Sequence, residues 1–252
     1  LSQRGARDQH GVFLVEGIRA VWQALDHQAD IEVILTAPEL LTSDTARTAV
    51  ERAEAAGIRV ISFSARVFER FTDREHPSGL AAIVRAAPVP LENLTVAKDS
   101  LVVALYEVGN PGNLGTILRT LDAVGGAGLI TIGDATDPYH PTAVKASMGT
   151  IFSMPIVLLA RAEQAFDWAR SRKVTVIGTS EHAEHTHWEA PLPLPAMILL
   201  GNEGRGLPPE VLHACDYRVR IPMEGSAGSL NLAMAAGILL YEARRTQWRE
   251  QG

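Results

Sequence analysis

Four short runs in the second half of the chain constrain the fold more than any other feature of the sequence. They are Leu101-Val102-Val103-Ala104-Leu105, Leu129-Ile130-Thr131-Ile132, Val174-Thr175-Val176-Ile177 and Met197-Ile198-Leu199-Leu200, apolar at almost every position. A strand with one wet face alternates in polarity. A run this continuous has both faces buried, as in a parallel sheet covered by helices. A fifth run, Tyr217 to Ile221, and helical segments over Leu114 to Val124, Ala162 to Arg172 and Leu230 to Thr246 complete a βα alternation. The expectation is an α/β fold around a parallel sheet.

The first half is built of shorter pieces. Val12-Phe13-Leu14-Val15 reads as a strand, and Ile18, Val21, Trp22 and Leu25 then repeat with the i, i+3, i+4, i+7 spacing of a helix. Further strands are expected at Ile31 to Leu35, Arg59 to Phe63 and Leu80 to Val84, with helices around Thr45 to Ala56 and Ala65 to Phe71. The stretch Ala86-Ala87-Pro88-Val89-Pro90-Leu91-Glu92-Asn93 separates the halves, and its paired prolines suit a stiff connector. The expected division is a small α/β domain over 1–87, a linker over 88–98 and a second domain over 99–252.

Composition narrows the class. At 46% hydrophobic the chain can bury a full core, yet no apolar run reaches the roughly 18 residues that would span a bilayer. Leu1 to His10 holds two arginines and no apolar stretch, so a secretory signal is not expected. Cys215 is the only cysteine, which removes disulfide frameworks and cysteine-rich zinc sites and makes the cytoplasm the default compartment. The net charge of −6 counts mildly against a protein held on nucleic acid by charge alone. It does not exclude one, because arginines can be gathered on one face: ten of the first 97 residues are arginine and none is lysine.

Three segments carry loop chemistry that a plain scaffold would not need. In Gly109-Asn110-Pro111-Gly112-Asn113-Leu114-Gly115-Thr116-Ile117-Leu118-Arg119 a strand runs through a Gly/Asn/Pro loop into a helix. Such a loop leaves N–H groups free at the helix N-terminus, where an anion is favoured. In Leu199-Leu200-Gly201-Asn202-Glu203-Gly204-Arg205-Gly206-Leu207-Pro208 a buried strand opens into three glycines, an amide, an acid and a base, more than a turn requires. In Ile221-Pro222-Met223-Glu224-Gly225-Ser226-Ala227-Gly228-Ser229-Leu230-Asn231-Leu232-Ala233 a small-residue loop enters a long apolar helix. Ser229 is a candidate helix cap there, and Asn231 is expected in the first turn, where a polar amide needs a partner.

These segments resemble, in order, the N-x-G-x-x-x-R, G-N-E-G-x-G-L and I-P-M-x-G-x-x-x-S-L-N-L-A signatures of the SpoU (TrmH) branch of the SPOUT methyltransferases. The likeness covers residues 99–247, and Phe13-Leu14-Val15-Glu16-Gly17 with Gly79-Leu80-Ala81-Ala82 is similar to the family's small substrate-binding domain. One departure is Gly109-Asn110 before Pro111, where many members carry an acid. The resemblance implies an S-adenosylmethionine-dependent RNA methyltransferase acting on a ribose 2′-hydroxyl. It also implies a deep trefoil knot in the second domain, one of the rare exceptions to unknotted chains. Gly201, Asn202, Ile221, Met223 and Leu230, with Thr179 at the end of the preceding strand, would hold the cofactor. Arg119 would accept the hydroxyl proton with a substrate phosphate alongside. A guanidinium is awkward as a base, so holding the phosphate and stabilising the emerging alkoxide stands as the alternative. Asn113, Ser229 and Asn231 would orient Arg119 or the ribose, and Glu203 would brace the second loop. The implied partners are RNA and a second copy of the chain at the C-terminal helix, and no metal is implied. The separate first domain, analogous to ribosomal-protein-like RNA binders, tilts the RNA toward ribosomal rather than transfer.

Two other functions compete. Gly109, Gly112 and Gly115 followed by Asp134 suggest a Rossmann-type oxidoreductase, although the spacing is G-x-x-G-x-x-G and leaves the other two loops unexplained. A non-catalytic RNA-binding relative would have no use for Asn113, Arg119, Glu203, Ser229 and Asn231 together. Elsewhere, plainer readings are expected. His182, His185 and His187 lack H-E-x-x-H spacing. Cys215 suits the core, Trp22, Trp168 and Trp188 suit cores or interfaces, and Arg4, Arg7 and Arg19 suit a solvated surface.

Overall fold

The computed structural model describes residues 1–72 and 77–251. The chain forms two compact units: Leu1–Ala87 together with Asp137–Ser153, and Pro88–Thr136 together with Met154–Gly252.

The first unit contains α1 (Arg4–His10), β1 (Val12–Glu16), α2 (Ile18–Asp26), β2 (Ile31–Thr36), α3 (Asp44–Ala55), β3 (Val60–Ser62), α4 (Ala65–Phe68) and β4 (Leu80–Arg85). Its sheet has the order β1-β4-β2-β3, with β4 antiparallel to both neighbours and β3 parallel to β2. The apolar stripe expected on α2 is buried through Val21, Ala24 and Leu25. Trp22 lies at its margin, with the Arg52 guanidinium 5.5 Å from the ring centroid. Facing residues on α3 are the alanines Ala46, Ala49 and Ala53, small enough for close packing.

The second half of the sequence lends this unit the segment Asp137–Ser153. Arg7, expected on the surface, is instead 4% exposed, and its Nε donates to Asp137 Oδ2 at 2.6 Å. The Arg7 guanidinium also donates to the carbonyls of Leu1 and Ser2, and the other Asp137 oxygen accepts from the Tyr139 N–H. A buried charge pair persists only when its remaining hydrogen-bonding capacity is met in this way. Phe13 packs against Tyr139 and Phe152, with centroids 4.8 and 6.3 Å away. Gly149 closes the segment: its φ of +99° suits glycine, and a Cβ there would lie 1.8 Å from Gln23 Oε1. The helix within the segment is α6 (Pro141–Ser147).

The second unit holds β5 (Leu101–Tyr106), α5 (Pro111–Ala123), β6 (Gly128–Ile132), β7 (Ile156–Leu159), α7 (Ala162–Arg172), β8 (Thr175–Thr179), β9 (His185–Thr186), β10 (Ala196–Leu200), α8 (Pro209–His213), β11 (Tyr217–Arg220) and α9 (Leu232–Gln251). Its seven strands run β7-β6-β5-β10-β8-β11-β9 with every pairing parallel. β5, β6 and β10 are buried along essentially their whole length, as their unbroken apolar sequences require. Cys215 sits in this core, its Sγ–H donating to the Val211 carbonyl, and burial pushes the thiol up to about 12. Trp168 is buried, whereas Trp188 is 56% exposed at the sheet edge and does not join a core.

Arg244 fixes α9 in place. It is 5% exposed and donates to the carbonyls of Val124, Asp99 and Gly125 at 2.7–2.8 Å, beyond the end of α5 and at the approach to β5. Arg244→Met keeps the stem but leaves these buried acceptors unpaired, which should cost about 3 kcal/mol. A urea titration should show a lower midpoint at unchanged slope. A midpoint equal to wild type would mean that the clamp contributes nothing.

Candidate functional site

Because the strands are parallel, the loops that follow β5, β10, β8 and β11 leave the same edge of the sheet, and these four strands are consecutive neighbours. The carboxyl edge of such a sheet is where open α/β folds bind ligands. All three loops singled out from sequence are here, together with the turn after Thr179.

The first loop is shaped by Asn110. Its side-chain oxygen accepts from the N–H groups of Gly112 and Asn113 at 2.8 and 3.2 Å, capping α5, with Pro111 in the first turn. An aspartate would cap equally well. It would also place a second carboxylate beside Glu203, which already accepts from the Asn110 N–H at 3.1 Å. The asparagine found here keeps the cap and removes that repulsion.

Glu203 joins the second loop to the first. Its carboxylate accepts from the N–H of Gly109 at 3.0 Å, the N–H of Asn110 and the Asn113 side-chain amide at 3.0 Å. Partial desolvation acts to raise the carboxyl, but the donated hydrogen bonds outweigh it and hold the group below its ordinary value. The loop itself closes on Gly201, where a Cβ would lie 2.3 Å from the Gly206 carbonyl carbon and 2.4 Å from the Leu207 nitrogen. The Asn202 side chain is committed to the loop, donating to the Glu107 carbonyl and accepting from the N–H groups of Gly204 and Arg205.

Asn113 carries the connection to the third loop. It is 8% exposed, and its oxygen accepts from the Asn231 amide at 2.9 Å while its nitrogen serves Glu203. The Asn231 oxygen accepts from the N–H groups of Ala233 and Met234 at 3.0 and 3.4 Å. The cap of α9 is therefore Asn231 and not Ser229, which is exposed and makes no hydrogen bond among the described residues. A chain Glu203–Asn113–Asn231 thus runs through all three loops, and every amide in it has both ends used.

The remaining candidate residues surround this chain. Arg119, on α5, is exposed, and no hydrogen bond or ion pair engages its guanidinium among the described residues. Thr179 donates to the Leu199 carbonyl at 3.2 Å. Ile221 is half-buried, while Met223 and Leu230 are 39% and 37% exposed. Apolar side chains left open beside backbone-rich loops suit a nucleoside, whose ring would cover them. Sequence reasoning missed Glu107 as part of the site, and nothing in its local sequence marks it. Of the histidine stretch, His185 pairs with Val219 at the sheet edge, and His187 is buried against Trp188.

The sequence profile of the SpoU rRNA Methylase family matches residues 100–241, and that of the MRM3-like substrate binding domain matches residues 1–82. The chain belongs to the SpoU rRNA methylase family. It is 34% identical to a 23S rRNA (uridine(2479)-2′-O)-methyltransferase of Streptomyces viridochromogenes, over 97% of this chain and 86% of that protein. It is 30% identical to the 23S rRNA (guanosine(2553)-2′-O)-methyltransferase RlmP of Bacillus subtilis, over 97% and 93%. Among solved structures, the SpoU methyltransferase AviRb of S. viridochromogenes in complex with AdoMet matches with a TM-score of 0.90 and 32% identity, over 98% and 94% of the two chains. The SpoU assignment displaces the dinucleotide reading, and the strand order does so independently. In the Rossmann order the first strand of the sheet neighbours the second and the fourth. Here the first strand, β5, neighbours β6 and β10, and β10 is the sixth.

Proposed function

We propose that this protein transfers the methyl group of S-adenosylmethionine to a ribose 2′-hydroxyl of 23S ribosomal RNA. The observation that carries the reading is the Glu203–Asn113–Asn231 chain, which locks the three loops at one sheet edge while leaving Arg119 unengaged among the described residues. A purely structural network would not need to spare an arginine on the helix it fixes. The names of the full-length relatives support the substrate class.

S-adenosylmethionine would supply an electrophilic sulfonium methyl. Gly201, Ile221, Met223 and Leu230 would line its adenosine pocket, with Thr179 at the end of the neighbouring strand. The side chain of Asn202 shapes the loop, so its part in binding would fall to its backbone. Arg119 would hold a phosphate of the RNA and stabilise the alkoxide that forms as the hydroxyl loses its proton. Asn113 and Asn231 would fix α5 and α9 relative to one another, and Ser229, free of other duties, would face the ribose. Positioning of this kind is a large part of any bimolecular rate enhancement.

Residues 1–87 would recognise RNA and 99–252 would carry out transfer. The trefoil knot of the family would lie in the second unit, in keeping with the insertion of β10 between β5 and β8. A second copy would cover the exposed stripe Met234, Ile238, Tyr241 and Trp248 on α9. No helix among the described residues is long and apolar enough to cross a membrane, and the cytoplasm would be where the protein meets a ribosomal substrate.

Incubation with methyl-labelled S-adenosylmethionine and unmodified 23S RNA should transfer label that persists as a 2′-O-methyl nucleoside after digestion. Label on a base, or label entering only transfer RNA, would overturn the reading.

A further inference from the structure

Glu107 follows β5 directly and is one of the non-glycine residues held in left-handed backbone, with φ +48°. Such residues persist where surroundings over-determine them, and they gather at functional sites. Here the surroundings act from three sides. The Glu107 N–H donates to the Ile132 carbonyl at 3.0 Å, and its carbonyl accepts from the Asn202 amide at 2.8 Å. Its stem lies against Gly133, where a Cβ would come within 3.0 Å of Glu107 Cγ.

The carboxylate is thereby delivered to one place, and there it meets Arg205 Nη2 at 3.2 Å. Arg205 is held differently. Its backbone is fixed by the Asn202 side chain, but among the described residues its guanidinium has this single polar contact, and its side chain is 76% exposed. An ion pair that exposed contributes little to stability, and the loop is already gripped by Glu203 and Asn202. The pair is therefore not what closes the loop. Burial raises the neighbouring Tyr106 phenol most, Glu107, Glu210 and Glu163 add smaller contributions in the same direction, and Arg205 opposes them. RNA arriving at this corner meets carboxylates, and the exposed Arg205 guanidinium among them can receive a phosphate.

We propose that Arg205 binds a backbone phosphate of the RNA beside the nucleotide being methylated, and that Glu107 parks the guanidinium until the phosphate takes it. The proposal rests on the RNA methyltransferase reading above. A guanidinium with one weak carboxylate contact and a fixed backbone exchanges partners at small cost, and its fork suits phosphate.

The two partners should act in opposite directions. With cofactor-saturated protein and a 23S RNA transcript, Arg205→Ala should weaken RNA binding about five- to tenfold and reduce the salt slope by about one. Glu107→Gln, which frees the arginine and removes a facing charge, should tighten RNA binding about twofold or more. Affinity for S-adenosylmethionine should be unchanged in both, and Arg205→Lys should recover most of the binding. If both variants weaken RNA binding alike, or both lose cofactor affinity, the pair is a loop clasp and the proposal fails. An unchanged RNA affinity and salt slope in Arg205→Ala overturns it as well. Methyl transfer by wild type, followed in parallel, reports separately on the proposed function.

Discussion

Arg119→Ala should lower methyl transfer by roughly a hundred- to a thousandfold while leaving both the fold and cofactor binding intact. The size follows from removing a cation from the place where negative charge would develop, a loss of that order where one stabilising donor is deleted. The selectivity follows from the structure. α5 is capped by Asn110 and anchored through Asn113, and neither contact involves the Arg119 side chain. Its guanidinium is exposed and unengaged among the described residues, so truncation leaves no buried group without a partner. Thermal stability should therefore stay within the roughly 0.5 kcal/mol typical of a surface change. Arg119→Lys keeps the charge but loses the planar fork, and should fall between the two. Single-turnover transfer measured beside calorimetric binding of S-adenosylmethionine separates the terms. A variant that keeps a tenth or more of the wild-type rate would remove Arg119 from the chemistry. A parallel fall in cofactor affinity would make it a binding residue instead.

The parts of this molecule that were legible in its sequence are those whose environment is uniform along a segment. β5, β6 and β10 are buried on both faces, so their composition alone announces them. The edge strands of the seven-stranded sheet gave no such signal. β7 is apolar but half open to solvent, with Leu158 48% exposed, and β9 is a two-residue strand inside a stretch of histidines. The placement of α1 and of the segment Asp137–Ser153 was opaque for another reason. What holds them is the pairing of Arg7 with Asp137, 130 residues apart, and no local pattern encodes a contact of that range. In the site, glycines and amides crowded into three loops were readable because few other uses require them. Which amide bonds which group was not readable. Ser229 and Asn231 are both good helix caps, and only the position of Asn113 decides that Asn231 caps α9 while also donating to its neighbour. Glu107 was invisible because its importance lies in its backbone conformation and not in its residue type.

Glu203→Gln tests the opposite kind of residue, one that contributes entirely through what it holds. The substitution preserves shape but turns one acceptor oxygen into a donor, facing the N–H groups of Gly109 and Asn110 and the amide of Asn113. At least one donor must then face another, and the cost, about 2 kcal/mol, should appear as a lower urea midpoint. With its amide nitrogen towards Gly109 the glutamine keeps Asn110 and Asn113 but releases the first loop at Gly109. Turned the other way it releases Asn113 and, through it, Asn231. Either way transfer should fall about ten- to a hundredfold. The pH dependence separates charge from shape. The carboxyl is held below its ordinary value of 4.5 in the folded protein. Its contribution is therefore complete above that value and is lost as the pH falls through the lower, folded one. The stability gap between wild type and Glu203→Gln should be constant through the neutral range and close in acid, below pH 4.5. A gap that persists undiminished in strong acid would show that the carboxylate acts by its shape alone. The interlock of the first two loops would then have to rest on the Asn202–Glu107 bond, and Asn202→Ala would become the more damaging change.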